Sequence, residues 1–373
     1  MKICVVAPVH TSNDIRVFYK ICRTLNSNGY DVVLYCRNKT NFINNGIHIK
    51  SVPSFKSRFL RFAYLPILLI HLLKEKADCY HFNNPDTLLL TFFMKLLGYK
   101  IVYDTHEDFR KRILYKEWIP KILRKPVSNV VFLLEYIVSL IADGFFVTQD
   151  CQTKIYKNSV LLRNAPLINN DFLTNVSTKS ANITKLYPMA IYVGYSLTKD
   201  RGIEQIINAI DIVNQKVKAG LWLIGNIDHK YLDKISELPG FKYTTYLSYM
   251  RYVDAMAYVN KADVGLVTIL NVGDHENTSA NKLYEYMLFK IPFIASNFDK
   301  WKYELEGVNA GFFVDPLNSD EIASAIIKII TNKDLKQLLA NNGHNYIIQA
   351  FNWDKESKKL IEIYKKIFKN YKE

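Results

Sequence analysis

The sequence predicts an α/β protein made of two Rossmann-like, doubly wound domains, and three features carry that prediction. Short apolar runs bounded by polar loops alternate with amphipathic segments through both halves of the 373-residue chain, the order that winds parallel strands and crossover helices into a sheet. A polar run from Asn169 to Thr184 interrupts the alternation near the middle. Nearly every residue with site-like chemistry falls just after a strand-like run, where ligands of open parallel sheets bind. The expected division is a first domain over 1–168, a linker over 169–187 and a second domain over 188–352, each long enough for its own core. Two such domains facing one another would enclose a cleft.

The opening run, Met1 to His10, reads as a buried strand rather than a signal peptide, because it is short and ends in Pro8 and a polar loop. A helix is expected from Asp14 to Leu25, stopped at Asn28-Gly29, before a strand at Asp31 to Tyr35. Ser12 and Asn13 sit in the loop between, available as helix caps or as hydrogen-bond donors to a ligand. Further strands are expected at Asp78 to Phe82, Lys100 to Tyr103, Gly144 to Thr148 and Val160 to Leu162. The second series places strands near Met189 to Val193, Leu221 to Ile224, Phe241 to Thr245, Val264 to Val267 and Phe293 to Ala295, with closing helices from Ser319 to Lys372.

The most informative stretch is Asn277 to Met287, which reads as a helix opening on Ser279, Ala280 and Asn281 and carrying Glu285 deeper on the same face. Free amides at a helix start favour a phosphate, and a carboxylate one to two turns in can accept from two neighbouring ribose hydroxyls. The bland alternative makes Ser279 an ordinary helix start and Glu285 a solvated helix charge. A second phosphate-directed segment weighs against it. From Ile191 to Gly202 the chain reads as strand, loop around Gly194, two cations at Lys199 and Arg201, then a helix to Val217. Together they point to a nucleotide-sugar site.

These two segments, their order and their separation resemble the donor half of retaining glycosyltransferases of family 4, whose two-domain fold is called GT-B. The resemblance implies that Lys199 and Arg201 hold a donor pyrophosphate and that Glu285 is the second glutamate of a Glu-x7-Glu motif touching ribose and sugar. Asn277 stands where the first glutamate is usual, and Tyr195 where an arginine usually follows the loop glycine. Residues Thr245 to Tyr249 match a loop that holds the base, so Tyr249 joins the donor set. In the first half, His106 after the strand Val102 to Asp104 matches a histidine that reaches the donor sugar. Without the family, a lone histidine beside acids is more often a hydrogen-bonded loop residue. Its neighbours Asp104, Glu107 and Asp108 are expected to raise its pKa by proximity. His10-Thr11-Ser12-Asn13 replaces the family's glycine pair, and Ser12 and Asn13 would face the acceptor. The resemblance further implies a last helix, 353–373, that returns to the first domain. The implied reaction moves a sugar from a nucleotide diphosphate sugar, a UDP-sugar favoured, to a saccharide or lipid-linked acceptor in capsule, O-antigen or exopolysaccharide assembly. It keeps the α link and requires no cofactor and no metal. A nucleotide-sugar epimerase of the same fold and a noncatalytic sugar-nucleotide-binding subunit are the rival readings.

Forty-nine Lys and Arg against 35 Asp and Glu give a net charge of +14, which draws a protein to anionic surfaces. Nucleic acid is disfavoured, since zinc-finger spacing, an RNA-binding sheet signature and a helix-turn-helix pattern are missing. Basic and apolar residues mix instead in 56–74 and from Arg110 to Lys125, which suits anionic lipid headgroups. The apolar part from Phe62 to Leu73 is too short to span a bilayer, so it lies on a membrane or packs as a core helix. Val130 to Leu140, with Glu135 in it, reads as a buried domain helix. Five cysteines, odd in number and without metal-ligand spacing, fit reduced core residues. The expected location is cytoplasmic and peripheral, on the inner face of the plasma membrane. Hydrolase elbows, zinc-protease helices and Walker loops are lacking.

Overall fold

The computed structural model describes residues 1–55, 57–116 and 118–369. It divides into two compact units, Met1–Asn164 with the segment from Trp353 onward, and Ala165–Asn352. Both are α/β, each built on a mainly or wholly parallel sheet.

Unit 1 holds strands β1 (Lys2–Thr11), β2 (Asp31–Arg37), β3 (Phe42–Asn44), β4 (Ile47–Val52), β5 (Cys79–Asn83), β6 (Lys100–Thr105), β7 (Gly144–Val147) and β8 (Ser159–Leu161). Their spatial order is β3-β4-β2-β1-β5-β6-β7-β8, so the winding reverses between β1 and β5. β1 is apolar on both sides because both sides are covered: Ile3 to Ala7 are all fully buried. Four of the cysteines, Cys4, Cys22, Cys36 and Cys79, are unpaired and buried, while Cys151 is exposed.

On one face of this sheet, Cys4, Val6, Tyr80, Phe82, Tyr103 and Phe145 pack against three helices, Leu65–Glu75, Leu88–Leu96 and Lys121–Ile141. On the other, His81 Nδ1 lies 2.8 Å from the hydroxyl of Tyr364, on the last helix Trp353–Lys369. That helix is also fixed by Trp353, whose indole donates to Thr24 Oγ1 at 2.8 Å. Residues 370–373, expected to continue it, lie outside the described residues.

Unit 2 holds β9 (Met189–Ser196), β10 (Gly220–Asn226), β11 (Thr244–Tyr246), β12 (Val264–Val267), β13 (Phe293–Ser296) and β14 (Gly311–Val314), ordered β11-β10-β9-β12-β13-β14 and all parallel. The winding reverses between β9 and β12.

Several elements differ from expectation. The segment 169–187 is not a bare polar linker. It forms a helix, Asn170–Ala181, capped by the Asn169 side chain, which accepts from Phe172 N at 2.9 Å. Val176 is buried and Phe172 stacks on Tyr252 with ring centroids 5.5 Å apart, so a narrow apolar stripe docks this polar helix onto Tyr252–Lys261. The helix expected from Asp14 is wound as a π-helix over Ile15–Cys22 and as an α-helix over Arg23–Ser27. Its cap is Asp14, not Ser12 or Asn13. Pro239 opens a 3-10 turn through Tyr243 where a strand was expected, and β11 starts only at Thr244. The β3–β4 hairpin turns through Asn45 and Gly46, both at positive φ, the pair a tight hairpin needs.

Glu135 is buried under this sheet and accepts from Thr105 Oγ1 at 2.9 Å and from the Tyr156 hydroxyl at 3.1 Å. Burial pushes its carboxyl up to about 7, the hydroxyl donors opposing. A carboxyl raised in the folded state contributes stability fully present below its unfolded value and lost as pH rises through the folded one. Wild-type stability is therefore expected to fall between about pH 5 and pH 8, by roughly 3 kcal/mol for a shift of this size. Glu135→Gln should flatten that fall in urea titrations, and an unchanged pH slope would contradict the assignment.

Candidate functional site

The polar residues of unit 2 gather at the carboxyl ends of β9 and β12, where the sheet order reverses. β9 runs out at Ser196, past Gly194, and the chain makes a 3-10 turn over Lys199–Arg201 before the helix Ile203–Asn214. Gly202 joins turn to helix at φ 72°, and a Cβ there would stand 2.0 Å from the carbonyl oxygen of Thr268. Only glycine permits so close an approach in the left-handed region. Asp200 reinforces it. Its carbonyl accepts from Leu270 N at 2.9 Å, and its carboxylate lies 3.5 Å from His275 Nε2. The loops after β9 and β12 are thereby tied together.

The second loop continues through a 3-10 turn, His275–Asn277, to the helix Asn281–Leu288. Ala280 precedes the first helical residue and no side chain caps the helix, so its opening amides are left for another acceptor. The loop is braced from outside: Trp301 Nε1 donates to Thr278 O at 2.7 Å and Lys300 Nζ to Asn277 O at 2.6 Å.

Three charged side chains influence one another here. Lys282, in the first turn, is half-buried with its ammonium 5.8 Å over the Tyr192 ring. Among the described residues it makes no hydrogen bond or ion pair. Burial first, then the nearby Arg201 guanidinium, lowers it to about 8, while Glu285 opposes the shift. The same Arg201 lies beside the buried Tyr192 hydroxyl and resists the rise that burial gives that phenol. Glu285, three residues beyond Lys282, accepts from the Tyr252 hydroxyl at 2.8 Å, which fixes the carboxylate's orientation. Arg201, Lys282 and Glu285 therefore share one electrostatic neighbourhood.

The other expected donor residues fall as follows. Lys199 and Ser279 are exposed, and so is Asn281, while Ala280 is buried. Asn277 uses its amide internally, donating to Asp274 Oδ1 at 2.8 Å. Tyr249 and Tyr195 are both exposed, at 55% and 76%, with ring centroids 5.6 Å apart in an edge contact. They form an aromatic pair at the strand ends, fit to take a flat ring.

In unit 1, His106 follows β6 and touches His10 and Phe109 edge-on, at 5.3 and 5.5 Å. Its pKa is not raised by acidic neighbours. Burial lowers it to about 4, and Asp104 only opposes. The three acids are committed elsewhere: Asp104 to a buried bidentate pair with Arg16, Glu107 to Arg112, and Asp108 to the amide of Lys111. His106 is thus a neutral imidazole at neutral pH. His10 differs, because Asp14 at 2.7 Å outweighs burial and raises its pKa, with Asn84 Oδ1 2.8 Å from the other nitrogen. Ser12 is buried and Asn13 exposed. Among the described residues no cluster of His, Cys, Asp and Glu could hold a metal ion.

Residues 187–332 match the family model described as glycosyl transferases group 1, and residues 16–151 match that of glycosyltransferase family 4. The chain belongs to this glycosyltransferase family. An uncharacterized glycosyltransferase of Methanocaldococcus jannaschii is 25% identical over 267 residues, covering 70% of this chain and 64% of that protein. Sucrose-phosphate synthase from Thermosynechococcus elongatus has a TM-score of 0.77 at 16% identity, covering 99% of both chains. The Anabaena protein HepE, crystallised with UDP and also with UDP-glucose, has a TM-score of 0.71 in its UDP complex at 13% identity, covering 97% of this chain and 99% of that one. The fold is that of the GT-B glycosyltransferases.

Sequence reasoning passed over Lys282, although its place three residues before Glu285 puts both on one helix face. Gly202 was equally readable as a loop glycine but not as a contact with β12. Replacing it by alanine must displace the Thr268 carbonyl, so Gly202→Ala is expected to cost about 2 kcal/mol or more in urea unfolding. An unchanged midpoint would show that the two loops are not held as described.

Proposed function

We propose that the chain transfers a sugar, with retention, from a nucleoside diphosphate sugar to a hydroxyl of a saccharide or lipid-linked acceptor in cell-surface polysaccharide assembly. The observation that carries the reading is the convergence of Arg201, Lys282 and Glu285 beside an uncapped helix start at the β9/β12 reversal. A diphosphate would sit against the guanidinium, the ammonium and the amides of residues 280–282. As the glycosidic bond breaks, negative charge grows on that diphosphate, and preorganised cations in a partly desolvated site stabilise it there without reorganisation. No metal ion enters this account.

Glu285 would accept from the ribose hydroxyls. An ionised carboxylate has about four acceptor positions, so a bond from Tyr252 does not by itself exhaust it. The Tyr195–Tyr249 pair would take the base. UDP is the favoured nucleotide, in line with the complexes of the Anabaena neighbour. His106, neutral and packed against His10, is suited to act as a hydrogen-bonding group rather than as a cation.

We also read the protein as cytoplasmic and peripheral on an anionic membrane, which the net charge of +14 supports. Among the described residues no helix is long and apolar enough to cross a bilayer. One observation favours a second reading, binding without turnover: the Asn277 amide, at the position of the first family glutamate, is spent on Asp274. Nucleotide binding with no transfer to any acceptor would support it.

Arg201→Ala and Glu285→Gln should each lower transfer from a UDP-sugar at least tenfold, about 1.4 kcal/mol of transition-state stabilisation, while melting temperatures without ligand stay near wild type. Wild-type rates in both folded variants would refute these roles.

A further inference from the structure

The three helices on one face of the unit 1 sheet each bury one side and leave a second apolar stripe outward. Leu88–Leu96 is the clearest case. Leu88, Leu90 and Met94 are buried, yet Leu89, Phe92, Phe93 and Leu96 are exposed, the last two at 50% and 67%. Their spacing of three, four and seven residues places them on a single outer face. Lys121–Ile141, expected to be a buried domain helix, repeats the arrangement. It turns Glu135 and Val138 inward but exposes Ile122, Val130, Leu133 and Leu140. On Leu65–Glu75 the exposed pair is Ile67 and Ile70. Because all three helices pack on the same sheet face through one core, their outer stripes look the same way. Isolated surface hydrophobics are ordinary, but apolar stripes side by side on neighbouring helices mark an interaction surface.

Charge identifies the partner. Among the described residues, the carboxylates along this layer are committed within the protein: Glu75 to Lys2, Asp86 to Arg61, Asp143 to Lys95 and Lys100, and Glu135 to buried hydroxyls. Lys74, Lys76, Lys121 and Lys125 make no hydrogen bond or ion pair among the described residues. Trp118 and Tyr115, each more than half exposed, stand just before the long helix, with the two-sided chemistry suited to a water–lipid boundary. Lys56 lies outside the described residues. Apolar stripes flanked by uncompensated cations and interfacial aromatics fit an anionic bilayer better than a second copy of this chain, whose like charges would repel.

We infer that the outward face of helices Leu65–Glu75, Leu88–Leu96 and Lys121–Ile141 is the surface by which this protein lies on an anionic lipid bilayer. This rests on the peripheral attachment proposed above and assigns it to a defined face. The face carries two separable contributions. Leu89, Phe92, Phe93 and Leu96 enter the boundary between headgroups and chains, while Lys74, Lys76, Lys121 and Lys125 are drawn to the surface from a distance and are screened by salt.

The test is cosedimentation of the full chain with phosphatidylglycerol/phosphatidylcholine vesicles and with pure phosphatidylcholine vesicles. The variant Leu89→Ser/Phe92→Ser/Phe93→Ser/Leu96→Ser removes one stripe, and Lys121→Ala/Lys125→Ala removes two cations. Every altered side chain is exposed, and the melting temperature of each variant reports that it still folds. Wild type should bind only the anionic vesicles, the stripe variant should bind at least tenfold more weakly, and the lysine variant should lose affinity chiefly at low salt. Wild-type binding that the folded stripe variant keeps in full would overturn the face while leaving attachment standing. No wild-type binding would overturn both. A wild-type dimer in light scattering that the stripe variant dissociates would assign the face to a second copy instead.

Discussion

The geometry of the candidate site depends on one close contact, the Gly202 backbone pressed against the Thr268 carbonyl. A Cβ at that point would come within 2.0 Å of the oxygen, so the turn carrying Arg201 can lie against the end of β12 only because nothing projects from residue 202. Asp200 adds a backbone hydrogen bond to Leu270 and an approach to His275. From that join, the guanidinium of Arg201 and the first turn of Asn281–Leu288 come to share one space. The cost is electrostatic: burial first, and then the charge of Arg201, lower the basicity of Lys282 to about 8. In the proposed reading, a diphosphate would supply the opposite charge that these cations lack.

Unit 1 uses its polar groups differently. Around the reversal of its sheet, Arg16 and Asp104 neutralise each other in a bidentate buried pair, and His10 is clamped between Asp14 and Asn84. Asn83 is fully buried, with neither side-chain polar atom partnered among the described residues. His106 sits beside this group as an uncharged ring. The contrast is one of charge: the candidate site of unit 2 gathers cations, while these polar groups of unit 1 are neutral or balanced internally.

Much of this was legible in the sequence, and the exceptions share a physical cause. Strands such as Ile3 to Ala7 are apolar on both faces because helices cover both faces, and that run is visible without coordinates. The loop–helix segments around Arg201 and Glu285 were readable because a polar loop between an apolar strand and a periodic apolar segment is a local signal. What escaped were properties set by partners distant in sequence. Asp104, Glu107 and Asp108 look like a field that raises His106, but burial outweighs Asp104, and Arg112 and the Lys111 amide claim the other two. Lys282 is an unremarkable helix lysine until Tyr192 and Arg201 surround it. The helix Asn170–Ala181 was hidden by its polar composition, its docking resting on a few residues such as Phe172 and Val176. The Asn45-Gly46 hairpin was available as a local signal and was passed over.

The measurement that tests this account most directly is a crystal structure of the protein soaked with UDP. The account predicts the β-phosphate within hydrogen-bond distance of Arg201 and of the amides at residues 280–282, with Lys282 turned toward it. The ribose hydroxyls should lie on Glu285 and the uracil beside Tyr249. A nucleotide bound elsewhere, or one whose phosphates avoid Arg201 while its ribose avoids Glu285, would contradict it.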